Sequence, residues 1–262
     1  MASKNVICIQ GLGFVGAAMA IAVADVVDSD GNPLYEVVGV DVDTPQGLER
    51  ISALSLGRFP FESTDSNLHA ACARVHERGN LRTTTDSGVY AEADVVIVDV
   101  HCDIDFSSAA PDLDLSSLRF AIKQVGERVK SETLILIETT VPPGAITKIL
   151  IPELTDCFQK RGLKANDLLV AHSYERVMPG ENYFSSIKNF WRVFSGNSPT
   201  ASTKCRNFLN SIVNTADYPL TEVSSITASE VAKVLENSYR AANIAFITEW
   251  THFCDEIGVD LN

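Results

Sequence analysis

Short apolar runs rich in valine and isoleucine alternate with segments of helical periodicity up to about Leu220. The runs predict six buried strands: Val6–Gln10, Tyr35–Asp41, Asp94–Val100, Thr133–Glu138, Asp167–His172 and Trp191–Phe194. The intervening segments predict helices: Phe14–Val27, Ser116–Lys130, Ala145–Lys160 and Ser202–Val213. Strands alternating with helices of this length predict right-handed crossovers and a doubly wound, mostly parallel α/β sheet.

The connections and the end of the alternation suggest how the chain is organised. Asp28–Pro33, Arg58–Asn67 and Cys102–Asp114 are predicted to be irregular. Beyond Leu220 a long helical pattern follows, and Thr227–Glu230 has the form of a capping box that opens it. We therefore expect one domain over residues 1–222 and the start of a long central helical region over residues 223–262.

Composition narrows the possible partners. The chain of 262 residues has a net charge of −13, which argues against nonspecific binding to nucleic acid or to an anionic membrane surface. It contains no apolar run of the length that a membrane span requires. The first residues are broken too soon by glycine for a signal peptide. These features predict a cytoplasmic protein.

The six cysteines, at positions 8, 72, 102, 157, 205 and 254, are scattered. They form no C-x-x-C pair, and no histidine lies at ligand spacing from them. The sequence therefore predicts neither a disulfide framework nor a metal site, and it favours a reducing compartment.

A glycine motif follows the first predicted strand directly. Gly11, Gly13 and Gly16, with Phe14 and Val15 between them, lie between the strand VICIQ and the helix FVGAAMAIAVADVV. Gly11 permits the tight turn, Gly13 lets the backbone approach a pyrophosphate, and Gly16 allows close packing of helix and strand. Free N–H groups at the helix start favour that anion. The motif predicts a Rossmann-type dinucleotide site.

Asp41 ends the second predicted strand, where an acceptor for the ribose hydroxyls is expected. A carboxylate there repels a 2′-phosphate, and no arginine occurs within the next eight residues. The sequence therefore favours NAD over NADP. Asp43 is the competing candidate for the ribose.

Three downstream segments make the assignment narrower: Glu138–Gly144 (ETTVPPG), Tyr174–Gly180 (YERVMPG) and the helix EVAKVLENSYRAANIAFITEW. Together with GLGFVG, VVGVDVD and ADVVIVDV they occur in the order found in the nucleotide-sugar 6-dehydrogenases, which the chain resembles. This family comprises UDP-glucose, UDP-N-acetylhexosamine and GDP-mannose dehydrogenases. The segment ERVMPG is more similar to the N-acetylhexosamine branch.

The resemblance implies an activity and roles for individual residues. The family oxidises a sugar C6 alcohol to a carboxylate with two NAD, through an aldehyde and a cysteine thioester. Thr140 would hold a water near the reacting carbon, and Glu175 would be the general base for thioester hydrolysis. Lys233 and Asn237 would stabilise negative charge on the substrate oxygen. The helical spacing supports that pair, because Glu230, Lys233, Asn237 and Arg240 share one face.

Each candidate also has a structural interpretation. Thr140 can simply cap or end a strand, and Glu175 can pair with Arg176 at the surface. Lys233 can be solvated or can pair with Glu230 within the helix. His172 is predicted to be structural. Cys102 stands where the family has a threonine that contacts the cofactor, and Tyr174 replaces a proline, which puts the detailed contacts in doubt.

The family's nucleophilic cysteine lies in a Gly-Gly-x-Cys-x-Pro-Lys-Asp motif, which these 262 residues do not contain. We therefore expect the chain to be the NAD-binding half of such an enzyme, acting on a UDP-sugar and dimerising through the long helix. The alternatives are a non-catalytic NAD-binding or partner-binding module and an ordinary hydroxyacid dehydrogenase.

Overall fold

A computed structural model describes residues 5–105, 112–177 and 180–261. Within these residues, eight strands form one sheet in the order β10-β9-β8-β7-β4-β1-β2-β3. The strands are β1 Asn5–Gln10, β2 Tyr35–Val40, β3 Leu81–Thr84, β4 Val95–Val98, β7 Leu134–Ile137, β8 Leu169–His172, β9 Val193–Gly196 and β10 Thr221–Glu222. Two further strands, β5 Asp103–Asp105 and β6 Asp112–Asp114, form a separate hairpin.

Helices cover both faces of the sheet, as the apolar strands predict. They are α1 Phe14–Ala24, α2 Pro45–Ser55, α3 Ser66–Arg78, α4 Ser116–Gly126, α5 Ile151–Lys160, α6 Tyr183–Lys188, α7 Pro199–Ile212 and α8 Ile226–Ile257. All sheet pairings are parallel except the antiparallel pairing of β8 with β9. The predicted doubly wound, mostly parallel fold followed by a long helix is confirmed.

The core consists of two apolar layers separated by the sheet. One layer lies under α1, which is buried almost all round, and contains Ile9 of β1 and Ile97 of β4. The other lies under α4 and α5 and contains Val98 of β4. Alternate residues of each strand enter opposite layers, as strand geometry requires.

Some predicted boundaries are wrong. The stretch predicted as irregular up to Asn67 ends two residues too late, because Asp65 caps α3 by accepting hydrogen bonds from Asn67 N and Leu68 N. The predicted helix Ala145–Lys160 begins with a π-helical turn, Ile146–Leu150, before α5. The predicted loop Cys102–Asp114 contains the β5–β6 hairpin, and residues 106–111 lie outside the described residues.

The loop Asp28–Pro33 is irregular as predicted. Asp28 Oδ1 accepts hydrogen bonds from the backbone N–H groups of Asp30 and Asn32 at 2.9 Å. Such local side-chain bonds compete with regular structure and fix a turn. None of the described helices has both the length and the apolar composition that a membrane crossing requires.

The N-cap of α8 lies two residues before Thr227, where the predicted capping box starts. This N-cap is Ser225, which accepts a hydrogen bond from Ala228 N at 3.1 Å. The prediction that Thr227 and Glu230 form a capping box is therefore wrong. The first turns of α8 pack against the carboxyl side of the sheet, whereas most residues beyond Glu236 are exposed.

Candidate functional site

The glycine turn connects β1 to α1 beside the centre of the sheet. Gly11 has φ +92°, and a Cβ atom built on Gly16 would lie 1.9 Å from Gly11 O. Nothing lies within 4 Å of a Cβ built on Gly13, the N-cap of α1, and no side chain caps that helix. Backbone N–H groups at the start of α1, where Phe14 and Val15 lie, therefore face open space. This cradle fits a pyrophosphate.

A crevice of about 560 Å³ opens in front of this turn. It lies between the ends of β2 and β4 and the start of α4, and its walls include Gly13, Asp41, Arg50, Asp99 and Ser117. The strand order reverses here, because β1 has β2 on one side and β4 on the other. Such a switch point is where open α/β sheets bind dinucleotides.

Asp41 lies at the predicted place on the adenosine side of this crevice, while Asp43 is exposed. Asp41 accepts hydrogen bonds from Leu12 N at 3.2 Å and Val42 N at 2.8 Å. Arg50 Nε and Nη2 bind its two carboxylate oxygens at 2.7 and 3.1 Å. No arginine occurs among the eight residues after Asp41, but Arg50 is the ninth, and α2 brings it back to Asp41.

Two threonines follow β7, of which one is buried and the other is exposed. Thr139 is buried, and its hydroxyl donates to Val100 O at 2.8 Å and lies 3.2 Å from Val98 O. Thr139 therefore joins the ends of β7 and β4. Thr140 is exposed and keeps its hydroxyl available, which leaves its predicted roles open.

Glu175 and Lys233 are brought together although they lie far apart in the chain. Lys233 Nζ donates to Glu175 O at 3.0 Å and lies 3.5 Å from Glu175 Oε1. The same ammonium lies 5.2 Å from the centre of the Tyr174 ring. Val177 N donates to Glu175 Oε2 at 2.5 Å. Two predicted catalytic side chains thus form one largely buried pair.

Neither Glu175 nor Lys233 forms the ion pair predicted as its structural alternative. Arg176 pairs with Glu236 at 2.8 Å and covers the Phe190 ring at 4.7 Å, so it does not neutralise Glu175. Residues 178–179 of the same motif lie outside the described residues.

Glu230 is completely buried and does not pair with Lys233. Its Oε2 accepts a hydrogen bond from Gly144 N at 2.6 Å, and its Oε1 accepts one from Ile146 N at 2.9 Å. Glu230 therefore fixes the segment that carries Thr140 onto α8. The four residues predicted to share a polar face of α8 differ in burial. Glu230 and Lys233 are buried, whereas Asn237 and Arg240 are exposed.

His172 and Cys102 lie outside the Glu175–Lys233 pair. His172 Nδ1 lies 2.8 Å from Ser229 Oγ, and burial lowers the pKa of His172 to about 4. The imidazole is therefore neutral near pH 7, which agrees with its predicted structural role. Cys102 is half-buried and packs against the apolar layer that contains Val98. Its predicted contact with the cofactor stays a prediction.

Sequence reasoning missed a buried polar row at the ends of β4 and β7. Arg192 Nη1 binds Glu138 Oε1 at 3.0 Å, and both side chains are buried. Asp99 lies beside Glu138, and the Tyr183 hydroxyl donates to Phe14 O at 2.6 Å nearby. An acid within the apolar run ADVVIVDV was the available signal for Asp99.

Comparison with known proteins agrees with this geometry. Residues 5–213 match the NAD binding domain of the UDP-glucose/GDP-mannose dehydrogenase family, and residues 227–262 match its central domain. The chain belongs to this family. The binding fold and crevice are therefore those of an NAD-binding domain, and the alternative of an ordinary hydroxyacid dehydrogenase is wrong.

Individual relatives are similar over nearly the whole chain. A UDP-N-acetyl-D-mannosamine dehydrogenase of Methanocaldococcus jannaschii is 29% identical over 97% of this chain and 53% of its own length. A UDP-N-acetyl-D-glucosamine 6-dehydrogenase of Pseudomonas aeruginosa is 31% identical over 97% of this chain and 54% of its own. The chain thus spans about half the length of the curated relatives it matches.

A solved structure shows the same fold. The UDP-D-ManNAc dehydrogenase of Pyrococcus horikoshii superposes with a TM-score of 0.80 and 29% sequence identity, covering 97% of this chain and 55% of that one. Because the match covers 97% of this chain, it extends over most of the long helix α8 as well as the sheet.

Proposed function

We propose that this chain is the NAD-binding half of a nucleotide-sugar 6-dehydrogenase, which oxidises a C6 alcohol to a carboxylate. The observation that supports it best is the Glu175–Lys233 pair, which joins the end of the sheet to α8. NAD, when bound, would supply the hydride acceptor. A UDP-N-acetylhexosamine is the proposed substrate class, because both named relatives act on such sugars.

The side chains of this half have distinct proposed roles. Lys233 would place its ammonium against the substrate oxygen as negative charge develops there. Glu175, held through Oε2 by Val177 N, would act as general base toward water. Thr140 would position that water, and Asn237 would bind substrate further along α8. No thiol of this chain is assigned to the thioester, since five of the six cysteines are buried.

The test uses the complete polypeptide that carries this chain, with NADH formation followed over a panel of UDP- and GDP-sugars. Lys233→Met is expected to lower kcat about 10³-fold and Glu175→Gln about 10²-fold. Lys160→Met, at an exposed lysine of α5, is the matched control and should retain activity.

Two outcomes contradict the proposal. If no nucleotide sugar gives NADH although NAD binds, the chain is a binding module. If residues 1–262 alone turn over a UDP-sugar, the proposal that none of their thiols forms the thioester is wrong. We also propose the domain division near residue 222, just before α8 begins.

We propose a homodimer that forms through α8. Large apolar side chains on this helix are exposed, including Leu235, Phe246, Trp250 and Phe253. An exposed patch of this kind marks an interaction site. Light scattering should give twice the mass of one chain, and Phe246→Glu should halve it. Leu48→Glu, at an exposed leucine of α2, should leave the dimer intact; a monomeric wild-type chain contradicts the proposal.

A cytoplasmic location is proposed on the basis of the thiols. Within the described residues no cysteine forms a disulfide, which is typical of a protein kept in a reducing compartment. The absence of a dedicated disulfide means that stability is expected to be the same with and without reductant.

A further inference from the structure

Asp99 and Glu138 are side by side at the carboxyl edge of the sheet. Glu138 N donates to Val98 O at 3.0 Å, which continues the β4–β7 register by one residue. Ile97 and Leu136, two residues earlier in each strand, both enter the layer under α1. Because alternate residues share a face, both carboxyl groups lie on the α1 side of the sheet.

The charges in this row do not balance. With Glu175, which also acts on Asp99, the row holds three carboxyl groups: Asp99, Glu138 and Glu175. Two of them have a cation, because Arg192 binds Glu138 at 3.0 Å and Lys233 lies 3.5 Å from Glu175. Within the described part of the chain, Asp99 has no ion pair, and its Oδ2 is sealed from solvent without a hydrogen-bond partner. A buried carboxylate without a cation is strongly disfavoured, so the neutral acid is the stable form.

The groups around Asp99 also favour its protonated form. Burial, and then the charges of Glu138 and Glu175, holds the pKa of Asp99 well above its usual range, while Arg192 opposes the shift. Burial likewise raises the pKa of Glu138 to about 7 against the influence of Arg192. The Tyr183 hydroxyl of α6 and the Cys205 thiol of α7 also face the row, and both stay neutral because burial raises the pKa of each group.

Asp99 is also part of the wall of the NAD crevice. Asp41, at the end of β2, marks the adenosine side of that crevice. A dinucleotide extends across the switch point, so its other half lies on the side of β4 and β7, where Asp99 is found. The nicotinamide ring carries a positive charge in NAD⁺ and none in NADH.

We propose that Asp99 is a further cofactor-binding residue that holds a proton in the free protein and releases it when NAD⁺ binds. The ring of NAD⁺ provides the third cation of the row, so the Asp99 carboxyl becomes a carboxylate and its proton passes to solvent. NADH provides no such charge, and Asp99 keeps its proton. No bond other than the O–H bond breaks. The inference rests on NAD binding at this crevice.

The test is isothermal titration calorimetry of the chain with NAD⁺ and with NADH near pH 7, in phosphate and in Tris. The difference in heat between the two buffers gives the number of protons released. We expect release with NAD⁺ and none with NADH. Asp99→Asn should abolish the release and weaken NAD⁺ binding about three- to tenfold more than NADH binding.

Asp30→Asn is the matched control, because it makes the same chemical change in an exposed loop and should behave as wild type. Equal proton release with the two cofactors, or release that survives Asp99→Asn, overturns the proposal. If neither cofactor binds, the assignment of the crevice to NAD fails, and that result is recognisable by the absence of binding heat.

A second measurement tests the proton without any ligand. A carboxyl whose pKa is raised on folding stabilises the protein below its unfolded pKa, and this contribution is lost as pH rises through the folded value. Between about pH 5 and pH 8, the melting temperature of wild type should therefore fall by about 3 °C more than that of Asp99→Asn. The same pH dependence in both proteins shows that Asp99 holds no proton and overturns the proposal.

Discussion

Glu230→Ala is expected to lower the free energy of unfolding by about 2–5 kcal/mol. The substitution leaves the N–H groups of Gly144 and Ile146 without the carboxylate that both now bind, at 2.6 and 2.9 Å. Glu230→Gln retains one acceptor and should lose about half as much. Urea unfolding followed by circular dichroism measures the difference.

Glu77→Ala is the control for this prediction, because Glu77 is an exposed glutamate in the last turn of α3. It should change the free energy of unfolding by less than about 0.5 kcal/mol. If Glu230→Ala is equally mild, the buried carboxylate does not hold the segment after β7 to α8, and the description of this contact is wrong.

Two glycine substitutions should separate folding from cofactor binding. Gly16→Ala places a methyl group 1.9 Å from Gly11 O, so the turn must open, and a loss of about 3 kcal/mol or more is expected. Gly13→Ala meets open space and should leave stability unchanged within about 0.5 kcal/mol. It should nevertheless weaken NADH binding at least about tenfold, because the methyl group stands where the pyrophosphate approaches.

Thermal unfolding and titration of NADH fluorescence give the two readouts. Normal NADH affinity in Gly13→Ala would mean that the cofactor does not approach the start of α1. Normal stability in Gly16→Ala would mean that the packing of α1 against β1 is looser than the structure shows.

Periodicity predicted the central part of the fold well. The strands β1, β2, β4, β7 and β8 are long apolar runs whose burial on both faces is visible in the sequence. β3 was missed because its residues, LRTT, are only partly buried, and an edge strand does not need an apolar run. The antiparallel β9 was found, but its direction depends on a connection that hydrophobic pattern does not report.

The candidate site was only partly predictable for a different reason. Glycine spacing determines the turn locally, so Gly11, Gly13 and Gly16 could be placed from sequence alone. Ion pairing is decided by tertiary packing: Arg50 reaches Asp41 only because α2 folds back. Likewise, Glu230 and Lys233 lie less than one helical turn apart but have different partners, because two different loops pack against α8. Glu230 binds backbone N–H groups of the loop after β7, whereas Lys233 binds Glu175 in the loop after β8.

The hydrogen bonds between Glu230 and the segment after β7 also have a mechanical consequence. Helix α8 has 32 residues, which corresponds to a rod of about 48 Å at 1.5 Å per residue. It is anchored to the sheet mainly at its first turns, so a tilt of about 5° at the base would displace its far end by about 4 Å. The reverse also holds: a force applied to the free end is transmitted, with leverage, to the loop that carries Thr140.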